Sequence, residues 1–176
     1  VDGDTSLGIA VTEVDQTNGG WQFKLEDSTE WLDLNSVSDA SVTLLASTAS
    51  VRFVPQADYY GETGISFRAW DGTQGNSGDS SFIPDAFGGT SAFSIASQVA
   101  TITVNNINDA PIVDESMAVS LGSTVSGTVD HSGFLVADFI ADVVTDVDGD
   151  SVGIAVTSLE TDYGIWEISL DGGSQW

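Results

Sequence analysis

Gly8–Thr12 reads GIAVT, and the same five residues return at Gly153–Thr157. VDGD precedes each copy, at Val1–Asp4 and Val147–Asp150, and a tryptophan follows each, Trp21 or Trp166. Aligned with one single-residue gap near Ser6, Val1–Trp31 and Val147–Trp176 share 13 identities in 30 pairs. The offset is 146 residues before the gap and 145 after it. Two copies of one unit account for this, and a unit of that length has the size of a domain rather than of a solenoid turn.

The pentapeptide has the character of the chain's other regular segments. WQFKL at 21–25, SVRFV at 50–54, ISFRAW at 65–70, VATITV at 99–104 and IWEISL at 165–170 are short, rich in β-branched or aromatic residues, and often alternate. Turn-forming clusters such as TNGG, DGTQGNSGDS and DGGS separate them. No convincing amphipathic helix interrupts the series; FLVADFIADVV at 134–144 has room for one or two helical turns. Strands spaced by turns without crossover helices predict an all-β chain built as an antiparallel sandwich.

Composition narrows the function. Against 27 Asp and Glu stand only Lys24, Arg52 and Arg68, for a net charge of −24. That balance argues against nucleic acid and against an anionic membrane surface, both of which need basic patches. It suits a protein soluble at high salt, or one whose carboxylates are partly neutralised by bound cations. Cysteine is absent, which removes disulfides, thiolate metal sites and a cysteine nucleophile. No apolar run is long enough to span a membrane.

The clearest boundary is VNNINDAPIV at 104–113, where Pro111 interrupts pairing after an Asn/Asp turn cluster. Residues 1–110 then read as one domain lacking its opening strand, and 111–176 as the first part of the next. The chain accordingly reads as an excerpt of a longer array. Residues 72–97 form a long Gly/Ser-rich insertion, and a loop of that length is expected to be functional or flexible.

In combination, NDAP after TITV, RFVPQADYYGETGISFRAWDGT, the GIAVT…GGWQF…W unit and DVDGD resemble the long cadherin-like repeats of giant bacterial surface proteins, the VCBS-type and RTX-adhesin-associated modules. The resemblance implies a Greek-key, cadherin/immunoglobulin-like β-sandwich, exported, strung in tandem and holding Ca2+ at its junctions. TDVDGD puts Asp146 and Asp148 where such repeats carry two calcium-binding aspartates. NINDAP is similar to their linker motif, giving Asn106, Asn108 and Asp109, with Asn106 in place of an aspartate and one formal charge fewer. QADYYGE is similar in position to their acidic turn, which implies Asp58 and Glu62; Asp71 in AWDG and Glu115 match two further acidic positions. On this mapping Asp58, Asn106, Asn108, Asp109, Asp146 and Asp148 serve one junction, Asp2 and Asp71 an upstream one, and Glu115 a downstream one.

The chemistry of the residues points the same way. Calcium takes roughly 6–8 oxygen ligands from carboxylates, amides and backbone carbonyls. If extended, an Asp-x-Asp-x-Asp run such as 146–150 aims alternate carboxylates in one direction, and a divalent ion relieves their repulsion. The loop is not an EF-hand, because Ser151 and Thr157 stand where that motif requires Gly and Glu. The competing reading makes these acids solvated turn formers.

Trp21 and Trp166 are expected in the core, with Trp31 and Trp176 partly exposed, and Tyr59 and Tyr60 are expected to make a corner packing contact. GDSSF at 78–82 superficially looks like an esterase nucleophile block. The single histidine, His131, has no aspartate at the spacing such a triad needs. The expectation is therefore a non-enzymatic, calcium-rigidified extracellular segment of an adhesin stalk or surface filament. Its partners would be neighbouring repeats or identical subunits, joined by strand donation in one version of the array, together with a glycan or other cell-surface ligand. The alternatives are a glycan- or peptide-binding module acting through 72–97, or an accessory domain of a secreted polysaccharide-degrading enzyme.

Overall fold

A computed structural model describes residues 7–35, 37–128 and 132–176. Asp2 and His131 lie outside these residues, as does the first VDGD. The chain divides into two units, Val1–Asn106 and Ile107–Trp176, where the sequence placed its boundary after residue 110.

The first unit is two antiparallel sheets. Strands β1 (Gly8–Val14), β4 (Thr43–Ala46), β6 (Gly61–Trp70) and β7 (Phe93–Val104) form one sheet in the order β4-β1-β6-β7. Strands β2 (Gly19–Lys24), β3 (Leu32–Asp33) and β5 (Ser50–Pro55) form the other, in the order β3-β2-β5. Val11, Leu45 and Ile65 of the first sheet share a core with Trp21 and Phe23 of the second and with Leu34, so the sheets pack through one apolar layer. Phe53 joins it, tilted against Trp21 at 5.3 Å and edge-on to Tyr59 at 6.2 Å. Tyr59 therefore makes the expected corner contact, whereas Tyr60 beside it is 50% exposed.

The burial of β1 explains why GIAVT is a continuous apolar run. Val11 faces the second sheet, while its neighbour Ala10 points to the opposite face, and both are completely buried. A strand covered on both faces does not alternate polar and apolar residues. Leu44 and Leu45 of β4 divide in the same way.

What covers the outer face is the long insertion. Its Phe82 and Phe87 pack against Phe93, and with Ala92 they close a second core over Ala10, Leu44 and Trp70. The insertion also pairs along the free edge of β4: Val42 and Phe82 exchange backbone bonds of 2.8 and 2.9 Å, the Leu44 amide donates to Asp79 O, and Gly78 donates to Leu44 O. Trp70 Nε1 donates to Gln74 O at 2.7 Å. Residues 93–97 already belong to β7, so the irregular stretch runs only to residue 92. Its length reflects a structural layer, not slack.

The second unit is sparser. Strands β8 (Ile112–Val113) and β9 (Val144–Thr145) pair antiparallel, and helix α1 (Val136–Ile140) supplies one short helical turn within the predicted stretch. Ile140 and Val143 are its buried apolar residues among those described. The strands expected at 153–157 and 165–170 are absent, and Trp166, expected in the core, is 56% exposed. In the first unit the same motifs are held by β4, β5 and β6, whereas no strand among the described residues pairs with them in the second. Identical sequence without its pairing partners leaves its backbone unpaired.

Candidate metal site

The pairing of β8 with β9 positions the strongest candidates. Ile112 lies opposite Thr145 and Val113 opposite Val144, so the chain entering β8 meets the chain leaving β9. Entering are Asn108 and Asp109; leaving are Asp146 and Asp148. The Asp109 amide donates to Asp148 Oδ2 at 2.6 Å, across 39 residues of sequence. The Asp148 amide donates to Asp146 Oδ1 at 2.9 Å, and Gly149, at φ 73°, closes the turn by donating to Asp146 O at 3.2 Å. Asn108 Nδ2 donates to Asp109 O at 2.9 Å, which leaves the Asn108 amide oxygen without a hydrogen bond among the described residues.

Burial in this turn runs against hydropathy. Asp146 and Asp148 are half-buried, whereas Val147 between them is 55% exposed. Each carboxylate has accepted one amide proton and keeps further lone pairs. The donor set consists of hard oxygens from carboxylates, an amide and backbone carbonyls, which is the chemistry calcium and magnesium accept. Among the described residues no three acidic or histidine side chains are grouped closely enough to hold a metal by themselves, so a cation here would take carbonyl and amide oxygens as well.

The other predicted ligands occupy simpler settings. Asp58 is exposed in the turn between β5 and β6 with φ 60°, a left-handed conformation that aspartate tolerates. Glu62 is exposed on β6, and its carbonyl accepts from Tyr59 Oη at 3.0 Å. Asp71 is engaged locally: its Oδ1 accepts from Thr73 Oγ1 at 2.6 Å and from the Thr73 amide at 2.8 Å, which holds the carboxyl below its ordinary value. Asn106 is exposed at the end of the first unit. Glu115 is exposed after β8 and makes no hydrogen bond among the described residues; its neighbour Asp114 does, accepting from Ser116 Oγ at 2.6 Å and from the Ser116 amide at 2.9 Å.

All three basic side chains lie in the first unit and all stack on aromatic rings. Arg68 forms a two-pronged pair with Asp39 at 2.9 and 3.0 Å and lies over Phe87 at 4.3 Å. Arg52 and Lys24 both stack on Trp31, at 4.1 and 5.2 Å. Sequence reading missed these contacts because the partners are separated by up to 29 residues. The GDSSF segment is part of the cover over the outer sheet face: Asp79 and Gly78 bond the backbone of Leu44, and Phe82 packs in the core.

No family model, curated protein or solved structure matches the chain. The chain is nearly all-β, with several antiparallel sheets, an arrangement compatible with a β-sandwich.

Proposed function

We propose that this chain is a segment of a calcium-rigidified extracellular tandem array, serving as the stalk of a bacterial adhesin or as a surface filament. Its repeating unit is then a Greek-key, cadherin/immunoglobulin-like sandwich. The observation that carries this reading is the bond from the Asp109 amide to the Asp148 carboxylate. It ties the Asn/Asp linker to the acidic turn of the repeated VDGD motif, so a cation held there fixes the path of the chain into the second unit. The net charge of −24 supports a role for cations, since bound calcium offsets self-repulsion.

Calcium acts by mass action on the ordered form. Affinities of about 10⁻⁴–10⁻³ M, common in extracellular modules, make the segment stiff in calcium-rich surroundings and compliant without it. The test is a calcium titration of the 176-residue chain, reversed with chelator and followed by small-angle scattering and thermal melting. Calcium should lengthen the particle's maximum dimension and raise its melting midpoint. Identical scattering and midpoint in excess calcium and in excess chelator would overturn the proposal.

A further inference from the structure

The outer face of the smaller sheet gathers two of the three basic side chains in the protein. Along the central strand β2, Trp21 and Phe23 point into the core, so Gly20, Gln22 and Lys24 lie on the opposite face. In register with them on β5 are Val54, Arg52 and Ser50, and on β3 Asp33 lies opposite Gln22. Trp31, two residues before Asp33, completes the face; its ring carries Arg52 at 4.1 Å and Lys24 at 5.2 Å.

Carboxylates do not neutralise these two cations. Among the described residues the pair of Arg68 with Asp39 is the only ion pair, although the chain has 27 acidic residues. Arg52 donates through Nε at 2.9 Å and Nη2 at 2.6 Å to Gln22 Oε1, a neutral acceptor, and Gln22 Nε2 donates to Asp33 Oδ1 at 2.8 Å. This relay crosses all three strands and orients the guanidinium while leaving its charge intact. Stacking on Trp31 does the same for Lys24, since an aromatic ring attracts a cation without consuming its N–H groups. Two cations held over one ring repel each other, and an anion between them removes that cost.

The rest of the face specifies the kind of anion. Asp33 is exposed, and its Oδ2 accepts no hydrogen bond among the described residues. A ligand that fits must therefore carry donors beside its acid group, as a sugar's hydroxyls do, whereas an all-acid partner would be repelled there. Past Gln22 the strip is open: a Cβ at Gly20 would meet nothing within 4 Å, and Val54 across from it is 43% exposed. From Gly20 to Lys24 the strip runs about 13 Å, longer than one sugar ring, with an apolar end and a cationic end.

We propose that this face binds an acidic polysaccharide built from uronic acid residues. A carboxylate bridges Arg52 and Lys24, a neighbouring hydroxyl donates to Asp33, and an adjoining sugar lies over Gly20 against Val54. Nucleic acid needs a longer basic track, whereas two cations match carboxylates spaced apart by sugar rings. At physiological ionic strength charges are screened over about 8 Å, so the distant carboxylates of this chain do not cancel the local attraction. The site lies on the sheet opposite the one that residues 72–92 cover, and it needs no metal, so it stands apart from the calcium reading.

The experiment is an NMR titration of the full 176-residue chain with a tetramer of galacturonic acid. Excess chelator keeps calcium from bridging ligand and protein, and a neutral glucose tetramer and tetraglutamate are the comparison ligands. Shifts should concentrate at the Trp31 indole N–H and the amides of β2 and β5, saturate in the millimolar range and weaken as salt is raised. Arg52→Gln and Lys24→Gln should each weaken binding about tenfold, the loss of one charge-assisted hydrogen bond. Arg68→Gln removes the same charge elsewhere and should leave binding unchanged. Absence of shifts at this face overturns the proposal, as does unchanged affinity in the folded double variant of Arg52 and Lys24. Equal binding of tetraglutamate would mean that the face reads charge alone and takes an acidic polypeptide; equal binding of the glucose tetramer would mean that it reads sugar alone. Either result overturns it. Thermal melting reports whether the variants fold, and the ligand comparison and salt dependence decide on wild type alone.

Discussion

The Asp109 amide and the Asp148 carboxylate meet at 2.6 Å, joining the linker before β8 to the turn after β9. Asp148 thus has two separable duties, accepting that bond and carrying a charge. Asp148→Asn keeps an acceptor oxygen and should leave the Asp109 amide protected from hydrogen exchange, while the calcium-induced rise in melting midpoint disappears. Asp148→Ala should lose both, with amide exchange accelerated about tenfold, the equivalent of a hydrogen bond worth about 1.4 kcal/mol. Exchange measured by NMR with and without calcium separates the two roles.

Trp21 and Trp166 are equivalent in the repeat and opposite in environment. Trp21→Ala should destabilise the first unit by about 3–5 kcal/mol, in the range of large core truncations. Trp166→Ala should change stability by no more than about 0.5 kcal/mol, as exposed substitutions do. Trp21 Nε1 is buried with no hydrogen-bond partner among the described residues. Trp21→Phe removes that donor and should cost about 2 kcal/mol less than Trp21→Ala, because it keeps most of the apolar contact and leaves no buried polar atom unpaired. Denaturant titration of the three variants tests the ranking.

Gly75 tests whether the insertion is a structural layer. It sits at φ 76°, and a Cβ there would run into Leu44 Cδ1 and lie 3.0 Å from Phe82 Cε2. Gly75→Ala should destabilise the first unit by about 2 kcal/mol, combining left-handed strain with overpacking. An unchanged melting midpoint would show that residues 72–92 do not hold the outer core together.

The Arg68–Asp39 pair predicts a small acid limb. The side-chain hydrogen bonds from Arg68 lower the Asp39 pKa, and the same bonds raise that of Arg68. A carboxyl whose pKa is lower in the folded state contributes stability above its unfolded value, near 3.9, and loses that contribution as pH falls through the folded value. The arginine's contribution is complete at every pH below its unfolded value and fades only in strong alkali. The Asp39 side chain is 58% exposed, so the pair is worth at most about 1 kcal/mol. Asp39→Asn should lower stability slightly at neutral pH, and the difference from wild type should fade as pH falls through the lowered folded value of Asp39, as read by melting in acid.

Much of the first unit was legible in the sequence. Five of the predicted strand segments coincide with β1, β2, β5, β6 and β7, because each carries its burial pattern locally in β-branched and aromatic residues. The proximity of the NINDAP and TDVDGD motifs was expected from resemblance, and the β8–β9 pairing brings their second-unit residues Asn108, Asp109, Asp146 and Asp148 together. The role of residues 72–92 was not legible. Its Gly and Ser residues mask two phenylalanines whose partners, Leu44 and Trp70, are distant in sequence or on another strand.

GIAVT marks the division between what sequence and tertiary structure decide. The sequence alone determined that it recurs, that it is apolar and β-branched, and that it belongs to one repeating unit. Tertiary structure decided that Gly8–Thr12 is a central strand, because β4 and β6 pair with its two edges and apolar layers cover its two faces. It also decided that Gly153–Thr157 is not a strand, because no such neighbours flank it among the described residues. A β-strand's hydrogen bonds are made with other segments, so even a perfect copy of its sequence does not form a strand alone.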